Sequence, residues 1–473
     1  MSGQSGQQQY GPLWTAAEIA KATGGTASGA FSVSGVAFDS RELGPGDLFI
    51  AMRGEATDGH KFLDRAFAAG AAGAVTEQAC EGAHVLVPDS VQALNDLGVA
   101  ARVRTSARII GVTGSAGKTG TKEALAAALG RDMPGLVHRS VKSYNNHTGV
   151  PLSLARMPRE SAFGVLEMGM NHSGELSALT RLVRPHVAIV TTIAPAHIEY
   201  FGSEEAIADA KGEIFEGLEP GGAAIIPFDS PHRDRLIAAA KPHAATILTF
   251  GTGEGADVRA RDWVVDEDTG GSLVTAEICG SGLCFSLAPP GDHWVVNAMA
   301  VLAAVHALGA DLSAAGLALA ELPGLPGRGA RTMVPAGSGE ALLIDESYNA
   351  NPASMAATIA QLGRERANRR IAVLGSMREL GGDGAAFHAA LADHLAAAHV
   401  DSAILVGEEM GALADVLAAK PLEARIDFTH GLDVGDALAR LRSMVAPGDA
   451  ILVKGSNSVG LSRVVAGMIG GDN

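Results

Sequence analysis

The sequence has few cysteines and no excess of positive charge. Its 473 residues include only Cys80, Cys279 and Cys284, with no CxxC pair, and an odd count of this kind is typical of reduced thiols in the cytosol. The formal net charge is −16, which argues against nonspecific nucleic-acid binding because such binding needs a basic surface. We therefore expect no nucleic-acid partner, and a multiply anionic substrate would need local basic pockets.

Long apolar runs are also missing. No uninterrupted apolar stretch approaches the roughly eighteen residues that a membrane span needs, and the N-terminal stretch MSGQSGQQQYGP lacks the basic-then-apolar order of a signal peptide. We expect a cytoplasmic protein without membrane insertion. Its length and its 47% hydrophobic content predict about three domains, each with its own core.

Phosphate chemistry is indicated by residues 109–123, IIGVTGSAGKTGTKE, where an apolar strand runs into a glycine-rich turn. Gly114 and Gly117 would let backbone N–H groups close around phosphate oxygens, Lys118 could reach a transferring phosphoryl group, and the Thr119 hydroxyl could bind Mg2+. A predicted helix then points its positive end at the phosphates. Valine replaces the first glycine of the general P-loop, but the remaining T-G-x-x-G-K-T predicts ATP binding rather than an ordinary strand-to-helix connection.

The predicted second domain, residues 108–329, alternates strands and helices, which implies a mainly parallel sheet with ligands at the carboxyl ends of its strands. Glu167 closes one apolar strand and His197 follows another. A carboxylate in an apolar strand is costly unless it is paired or metal-bound, so we expect Glu167 to be functional. For His197 alone a structural histidine is an equal alternative, and for Lys211, on a later helix, a solvated face is the simpler interpretation.

Two further segments suggest nucleotide contacts. A long apolar helix follows PPGD and carries His293 and Asn297 four residues apart on one face. Asparagine is unfavourable inside a helix unless its amide binds something, and an adenine edge offers a donor and an acceptor. The next segment, LPGLPGRGART, is predicted to be a linker. Its Arg328 or Arg331 could move onto a γ-phosphate when domains close, although basic linker residues usually face solvent.

Residues 1–107 are predicted to form a separate domain of short strands and helices. The apolar stretches VAF and LFIAM are joined by the turn-rich segment DSRELGPGD, which indicates two strands linked by a polar loop. Ser40 and Arg41 in that loop offer a hydroxyl and a planar cation to a nucleotide diphosphate. On chemistry alone, a solvated arginine is the simpler interpretation.

Residues 330–473 are predicted to form a Rossmann-like open sheet, because short apolar strands alternate with alanine-rich helical segments. The predicted first strand, ALLID, is not followed by G-x-G-x-x-G, which disfavours dinucleotide binding. It ends instead in DESYNANP, residues 345–352. So many polar groups at the end of a strand favour a recognition loop over a plain turn.

Nine segments, in their order along the chain, resemble the Mur ligases. They are TGSAGKT, YNNHTGVPL, EMGMNHSGE, HIEYFGS, AKGEIF, GDHWVVN, DESYNANP, LGSMRELG and LVKGS. The stretch DSRELGPGDLFIAMRGEATDGHKF also resembles the N-terminal domain of that family, so the resemblance covers nearly the whole chain. It implies an α/β protein with a small UDP-binding domain, a central P-loop-type ATPase domain with a mainly parallel sheet, and a C-terminal Rossmann-like domain.

Within the family, the segments most resemble the ligase that joins D-alanyl-D-alanine to UDP-N-acetylmuramoyl-tripeptide (UDP-MurNAc-tripeptide) in peptidoglycan synthesis. The peptide carboxylate would attack the γ-phosphorus of ATP, and the dipeptide amine would then attack the resulting acyl phosphate. The resemblance implies ATP and two Mg2+ as cofactors, and we expect the protein to be a monomer.

The resemblance also implies roles for individual residues. The implied nucleotide contacts are Gly114, Ser115, Gly117, Lys118, Thr119, His293, Asn297, Arg331 and Asp345. The implied Mg2+ ligands are Thr119, Glu167, His197 and, if CO2 carbamylates it, Lys211; the implied catalytic residues are Lys118, Glu167, His197 and Lys211. The implied substrate contacts are Ser40 and Arg41 in the UDP-sugar pocket, Asn145 and Asn146, and Asn349, Asn351 and Ser354 near the acceptor.

Three alternatives remain at this point. A sister ligase adds diaminopimelate or lysine to a shorter peptide, and its diaminopimelate-using members carry a DNPR motif where we align NANPA, residues 349–353. Folylpolyglutamate synthetase shares the central fold but lacks the N-terminal UDP-binding domain. A catalytically silent ATP-binding regulatory protein would be expected to lose Lys118, Glu167 or His197, and all three are present. The departures from the family pattern, at Ala116, Asp292 and Ser376, remove no group that the chemistry requires.

Overall fold

The structure is a computed structural model that describes residues 11–54, 57–195, 198–266, 269–421 and 426–470. Three main sheets of five, nine and six strands follow one another along the chain. Helices connect most of the parallel strands, as in other α/β proteins, so the predicted fold class is confirmed. No helix in these ranges combines the length and the hydropathy that a membrane crossing requires.

The first sheet has the strand order β2-β7-β6-β5-β4, and β1 pairs separately with β3. Its elements are β1 Trp14–Thr15, α1 Ala16–Thr23, β2 Thr26–Ala27, β3 Ser32–Val33, β4 Gly35–Ala37, β5 Asp47–Ile50, α2 Leu63–Ala68, β6 Gly73–Thr76, β7 His84–Leu86 and α3 Ser90–Arg104. The predicted strands VAF and LFIAM correspond to β4 and β5, which pair in parallel.

The nine-stranded sheet has the order β16-β15-β14-β13-β12-β11-β8-β10-β9. Its strands are β8 Arg108–Thr113, β9 Val137–Arg139, β10 Phe163–Glu167, β11 Val187–Val190, β12 Ala223–Pro227, β13 Thr246–Gly251, β14 Val258–Val265, β15 Ser272–Ile278 and β16 Ser281–Leu287. Its helices are α4 Lys118–Asp132, α5 Gly149–Ala155, α6 Glu175–Val183, α7 Ile198–Phe201, α8 Glu204–Gly212, α9 Arg233–Ala240, α10 Asp292–Ala307 and α11 Leu312–Ala320.

Strand β8 lies between β10 and β11 and is parallel to both. The chain continues from β8 through β9 and β10 on one side and then crosses to β11 on the other side, so the strand order reverses here. Ligands of open α/β sheets bind beyond the carboxyl ends of strands at such a point. The glycine-rich turn after β8 and the last residue of β10, Glu167, therefore meet at one edge.

The six-stranded sheet has the order β17-β18-β22-β19-β20-β21 and is parallel except for β17. Its strands are β17 Ala330–Ala336, β18 Gly339–Glu346, β19 Arg370–Gly375, β20 Ser402–Val406, β21 Asp427–Gly431 and β22 Ala450–Lys454. Its helices are α12 Pro352–Arg364, α13 Gly384–Ala397, α14 Gly411–Ala419, α15 Val434–Met444 and α16 Ser462–Ile469.

One element at the start of this sheet was predicted wrongly. ALLID was predicted as its first strand and LPGLPGRGART as a linker, but β17 begins at Ala330, inside the linker segment. It pairs antiparallel with β18 through a tight turn in which Gly337 has φ 57°. The polar residues Arg331 and Thr332 concealed this edge strand, because only its later residues alternate between buried and exposed.

The first two sheets pack firmly together. Trp14 donates from Nε1 to Ala155 O at 2.8 Å, and the Arg104 guanidinium lies 3.5 Å from the centre of the Trp14 ring. One apolar core runs from the first sheet through α3 and α5 into the second. The domain boundaries after residues 107 and 329 stay predictions, although β8 begins at Arg108 and β17 at Ala330.

Candidate active site

The turn after β8 is built from glycines in conformations that other residues avoid. Gly114 has φ 149° and Gly117 has φ 82°. A side chain on Gly114 would collide with the Thr191 hydroxyl, and one on Gly117 would lie 2.9 Å from Asn297 Oδ1. Helix α4 begins at the next residue, so its N-terminal N–H groups face the turn. This is the local geometry that binds phosphate in other proteins.

Lys118 is the first residue of α4, and its ammonium donates to Gly114 O at 2.6 Å. The side chain is thereby held across the turn. Burial lowers the pKa of Lys118, while the nearby Glu167 carboxylate opposes that effect and Arg328 adds to it. An anion bound in the turn would meet this cation directly.

Thr119 and Glu167 form the second part of the site. Thr119 Oγ1 donates to Glu167 Oε2 at 2.8 Å, and Asn145 Nδ2 donates to Oε1 at 2.8 Å. Glu167 is only 1% exposed, and its hydrogen-bond partners among the described residues are neutral. A buried carboxylate and a hydroxyl side by side are hard oxygen donors that suit Mg2+.

A complete metal cluster is not assembled from protein side chains in the described ranges. They contain no group of three or more His, Cys, Asp or Glu residues arranged to hold a metal ion. His197 lies outside the described residues, so its role as a ligand stays a prediction. Mg2+ often takes one or two protein oxygens and completes its shell with phosphate and water, and Thr119 with Glu167 fit that pattern.

Lys211 is buried on α8, at 2% exposure, so the interpretation as a solvated helix face was wrong. Its pKa lies well below the usual value because burial disfavours the ammonium and the charge of Lys118 disfavours it further. Among the residues that the structure describes, none forms a hydrogen bond or an ion pair with this amine.

Helix α10 packs against the turn after β8 through the face that carries Asn297. Asn297 is buried with its amide against Gly117, and the Trp294 ring would contact a Cβ placed on Gly120 at 2.9 Å. Burial lowers the pKa of His293, which also feels the charges of Glu346 and Lys454 from the last domain. The adenine contacts proposed for His293 and Asn297 stay predictions.

The two linker arginines have different partners. Arg328 Nη2 donates to Ser143 Oγ at 3.1 Å, and that hydroxyl lies 3.2 Å from Thr119 Oγ1. Arg331, which was expected to face the nucleotide, forms two hydrogen bonds of 2.7 Å with Glu365. Arg328 is therefore the linker cation joined to the phosphate turn in this structure, and the role of Arg331 stays a prediction.

The polar loop after β18 is braced against the linker and the turn. Asp345 accepts from Gly327 N at 2.7 Å and from the Ser347 hydroxyl at 2.6 Å. Asn351 and Ser354 form the capping box of α12, and Asn351 Nδ2 reaches Ser115 O at 3.4 Å. The remaining loop asparagine, Asn349, accepts from Lys454 through its backbone oxygen. The predicted contacts of Asn349, Asn351 and Ser354 with the dipeptide substrate stay predictions. In this structure their side chains form hydrogen bonds within the loop.

The loop between β4 and β5 reaches the central domain. Arg41 pairs with Asp39 and is 77% exposed, while Glu42 accepts from Tyr144 Oη at 2.8 Å and pairs with Lys142. Ser40 lies in the same loop, and Asn146 accepts from Gly149 N at 2.9 Å at the start of α5. The exposed Arg41 leaves room for a ligand, but its substrate role and those of Ser40, Asn145 and Asn146 stay predictions.

A cavity of about 860 Å³ is lined by residues of α7 and of the loop after β19. Arg378 and Glu409 line it as an ion pair, and the backbone of Gly381 packs near Glu199 on the opposite wall. Glu409 Oε2 is buried and has no hydrogen-bond partner in the described part of the chain. The cavity therefore offers a cation and an unused carboxylate oxygen between the central and last domains.

Sequence reasoning missed several of these groups. Ser143 directly precedes the quoted motif YNNHTGVPL, and Trp294 lies between the two α10 residues that were selected. Arg378 stands inside the quoted LGSMRELG. The motifs therefore indicated which segments form the site. Which residues of those segments take part depends on contacts between distant parts of the chain, which the motifs do not show.

Comparison with known proteins agrees with this geometry. Three family models match this chain. Residues 32–136 match "Mur ligase family, catalytic domain", residues 112–305 match "Mur ligase middle domain", and residues 331–457 match "Mur ligase, glutamate ligase domain". Curated proteins named UDP-N-acetylmuramoyl-tripeptide--D-alanyl-D-alanine ligase are similar: those of Synechocystis sp. and Bacillus subtilis are each 35% identical, and both alignments cover 92% of this chain and at least 92% of the relative.

Solved structures are similar over the whole fold. A MurF structure from Acinetobacter baumannii has a TM-score of 0.81 at 30% identity and covers 96% of this chain and 98% of its own. The Thermotoga maritima MurF structure in complex with ADP has a TM-score of 0.73 at 28% identity and covers 91% of this chain and 96% of its own. With these matches over nine-tenths of its length, the chain belongs to the Mur ligase family.

Proposed function

We propose that this chain is the ATP-dependent ligase that joins D-alanyl-D-alanine to UDP-MurNAc-tripeptide, which gives the pentapeptide precursor of peptidoglycan. The observation that carries the proposal is the meeting of Lys118, Thr119 and Glu167 at one turn, in a chain whose relatives are named for that activity. The names of those relatives identify the substrates, and the turn supplies the phosphate chemistry.

The reaction gathers negative charge in both steps. The tripeptide carboxylate attacks the γ-phosphorus of ATP and ADP leaves; the dipeptide amine then attacks the acyl carbon and phosphate leaves. Phosphoryl transfer between anions depends on positioning and on neutralising charge. Lys118 and the N–H groups of the turn would hold the phosphates in line. Arg328, hydrogen-bonded to Ser143 beside Thr119, is the second cation within reach.

Thr119 and Glu167 are the residues that would hold Mg2+. When bound there, the ion would neutralise phosphate oxygens as a Lewis acid. A second ion would need further ligands, and the predicted ones are His197 and a carbamate on Lys211. Burial lowers the pKa of Lys211 and so raises the fraction of its neutral amine, the form whose nitrogen attacks CO2, with one proton released to solvent.

The last domain must exclude water from the acyl phosphate, because hydrolysis would waste it. Asn351 and Arg328 already connect that domain and its linker to the turn and to Ser143. We propose that the protein works as a monomer. We also infer a cytoplasmic location, since the proposed reaction consumes ATP.

We infer that the cavity between α7 and the loop after β19 receives the dipeptide. Its volume of about 860 Å³ accommodates a small peptide. Arg378, which pairs with Glu409 in this structure, would exchange that partner for the dipeptide carboxylate, because an arginine binds a carboxylate through two parallel hydrogen bonds.

Acceptor choice tests the proposal. With ATP, Mg2+ and UDP-MurNAc-tripeptide, we expect D-alanyl-D-alanine to give a product of the corresponding mass, and free diaminopimelate, lysine and glutamate to give little. The measurement is ADP release combined with mass spectrometry of the product. Comparable product from diaminopimelate with the shorter UDP-MurNAc-dipeptide would move the chain to the sister activity, and no amine-dependent ADP release would favour a silent ATP-binding protein.

The cavity supplies a matched pair of variants for this assay. Arg378→Ala should raise KM for the dipeptide by at least about tenfold, the cost of losing a charge-assisted pair, and should leave KM for ATP within about twofold. Arg440→Ala is the control: it removes an exposed arginine whose ion pair with Asp427 is long, at 3.9 Å. It should change neither the KM for the dipeptide nor the KM for ATP. Equal dipeptide KM values for the two variants would contradict the placement.

The linker arginines give a second test. Arg328→Ala should lower kcat by at least about tenfold, because it removes a cation joined through Ser143 to the phosphate turn. Arg331→Ala should cost less, since Arg331 is occupied by Glu365. Steady-state phosphate release at saturating substrates measures both. A larger loss in Arg331→Ala would restore Arg331 as the nucleotide contact.

A further inference from the structure

Lys122 lies one helical turn after Lys118 on α4, and the proposed reaction gives it no role. Its side chain is fully buried, at 0% exposure. Its ammonium donates to Ser140 O at 2.9 Å and to Lys142 O at 2.6 Å, and Glu123 Oε1 lies 3.0 Å away. Two hydrogen bonds and an ion pair therefore compensate the buried charge.

The two carbonyls belong to residues 140–145, a segment between β9 and α5 that is neither helix nor strand. Among the described residues, its backbone hydrogen bonds run from Ser140 N to Val165 O, from Tyr144 N to Val141 O and from Gly169 N to Asn145 O, and none of them uses a carbonyl that Lys122 binds. Lys142 within it has φ 53°, in the left-handed region that residues with a Cβ avoid. Lys122 thus binds both sides of a bend that the backbone alone does not favour.

The same segment contacts both predicted Mg2+ ligands. Ser140 Oγ accepts from Glu167 N at 3.0 Å, and Asn145 Nδ2 donates to Glu167 Oε1 at 2.8 Å. Ser143 Oγ lies 3.2 Å from Thr119 Oγ1. The orientation of the Glu167 carboxylate and of the Thr119 hydroxyl therefore depends on the path of residues 140–145.

We propose that Lys122 is a positioning residue of the nucleotide site, which fixes residues 140–145 so that Thr119 and Glu167 present their oxygen atoms together. The proposal rests on the proposed ATP-dependent function. Lys122 does not bind phosphate itself, because its ammonium is fully buried, donates to Ser140 O and Lys142 O, and pairs with Glu123. Without it the segment would relax, and Mg2+-nucleotide affinity would fall although Lys118 is unchanged.

The chain contains a matched control at a different place. Arg102 on α3 is a buried cation that donates to Val183 O and Arg184 O, each at 2.8 Å, with Glu219 3.2 Å away. Arg184 is also left-handed, with φ 49°. These contacts hold the end of α6 and include no residue of the phosphate turn. Lys122→Met and Arg102→Met therefore remove the same kind of contact, near and away from the site.

The experiment compares MgADP binding by titration calorimetry with thermal unfolding. Both methionine variants should have a lower Tm. Lys122→Met should raise Kd for MgADP by at least about tenfold, in the range seen when residues that orient metal ligands are removed, and Arg102→Met should stay within about twofold. Lys122→Arg, which keeps a cation, should recover part of the affinity. Equal Kd values for Lys122→Met and Arg102→Met overturn the proposal.

Lys122→Gln keeps the test decisive if Lys122→Met does not fold. Its amide can still donate to one of the two carbonyls, but it removes the charge and cannot reach both Ser140 O and Lys142 O as the ammonium does. Wild-type MgADP affinity in a folded Lys122→Gln protein overturns the proposal. Failure of the wild-type protein to bind MgADP would instead overturn the proposed function, so the two failures are distinguishable.

Discussion

Lys118→Ala is expected to lower kcat by about 10³-fold or more while the protein stays folded. The ammonium is held across the phosphate turn by Gly114 O, where it would meet the oxygens of the transferring phosphoryl group. Removing a cation that stabilises developing phosphoryl charge typically has an effect of this size. Amine-dependent ADP release at saturating ATP measures the loss.

The fold should survive this change because the Lys118 ammonium donates only to a backbone oxygen of the turn, Gly114 O, and no ion pair of the core is removed. Burial already lowers the pKa of Lys118, so its removal relieves a desolvated charge. Lys241→Ala, at an exposed position just after α9, is the control and should match the wild type. Near-normal turnover in a folded Lys118→Ala protein would contradict the ATP site.

The parts of this site that sequence predicts well are those fixed by short segments. The turn after β8 requires glycine at two positive φ values, and Lys118 and Thr119 follow it directly. Glu167 could be identified because a carboxylate ends an apolar strand. In each case one segment of chain carries both the geometry and the chemistry, so pattern and spacing suffice.

Residues whose surroundings come from distant segments could not be chosen in this way. The charge pattern of α8 gave no sign that Lys211 is buried, because its neighbours come from elsewhere in the chain. Arg328 and Arg331 are three residues apart in the segment that was predicted to be a linker. Only their partners, Ser143 and Glu365, show which of the two arginines is joined to the phosphate turn. Strand pairing also converted part of that linker into β17. Tertiary contacts decide such cases, and local sequence does not contain them.

Lys211→Ala is expected to be nearly inactive, with kcat lowered by about 10²-fold or more, a typical cost of losing a metal-site residue. The wild-type amine is 2% exposed, has no described partner, and has a pKa well below the usual value. A neutral amine in that position can form a carbamate, and the carbamate turns the side chain into an oxygen ligand that Mg2+ prefers. Added short-chain carboxylates should restore part of the activity by occupying the vacated oxygen position.

Lys454→Ala is the matched control for this rescue. Lys454 is also buried at 2% exposure, and burial lowers its pKa, but Glu346 lies 3.4 Å from its ammonium and Asn349 O accepts from it at 3.0 Å. Its ammonium is thus paired, and carboxylates should not rescue its loss.

A second experiment removes CO2: wild-type activity should fall in CO2-free buffer and return with bicarbonate. If Lys211→Ala keeps most of its activity, or if a Mg2+-bound crystal equilibrated with CO2 shows an unmodified amine, Lys211 acts without a carbamate and the second metal ion needs another ligand.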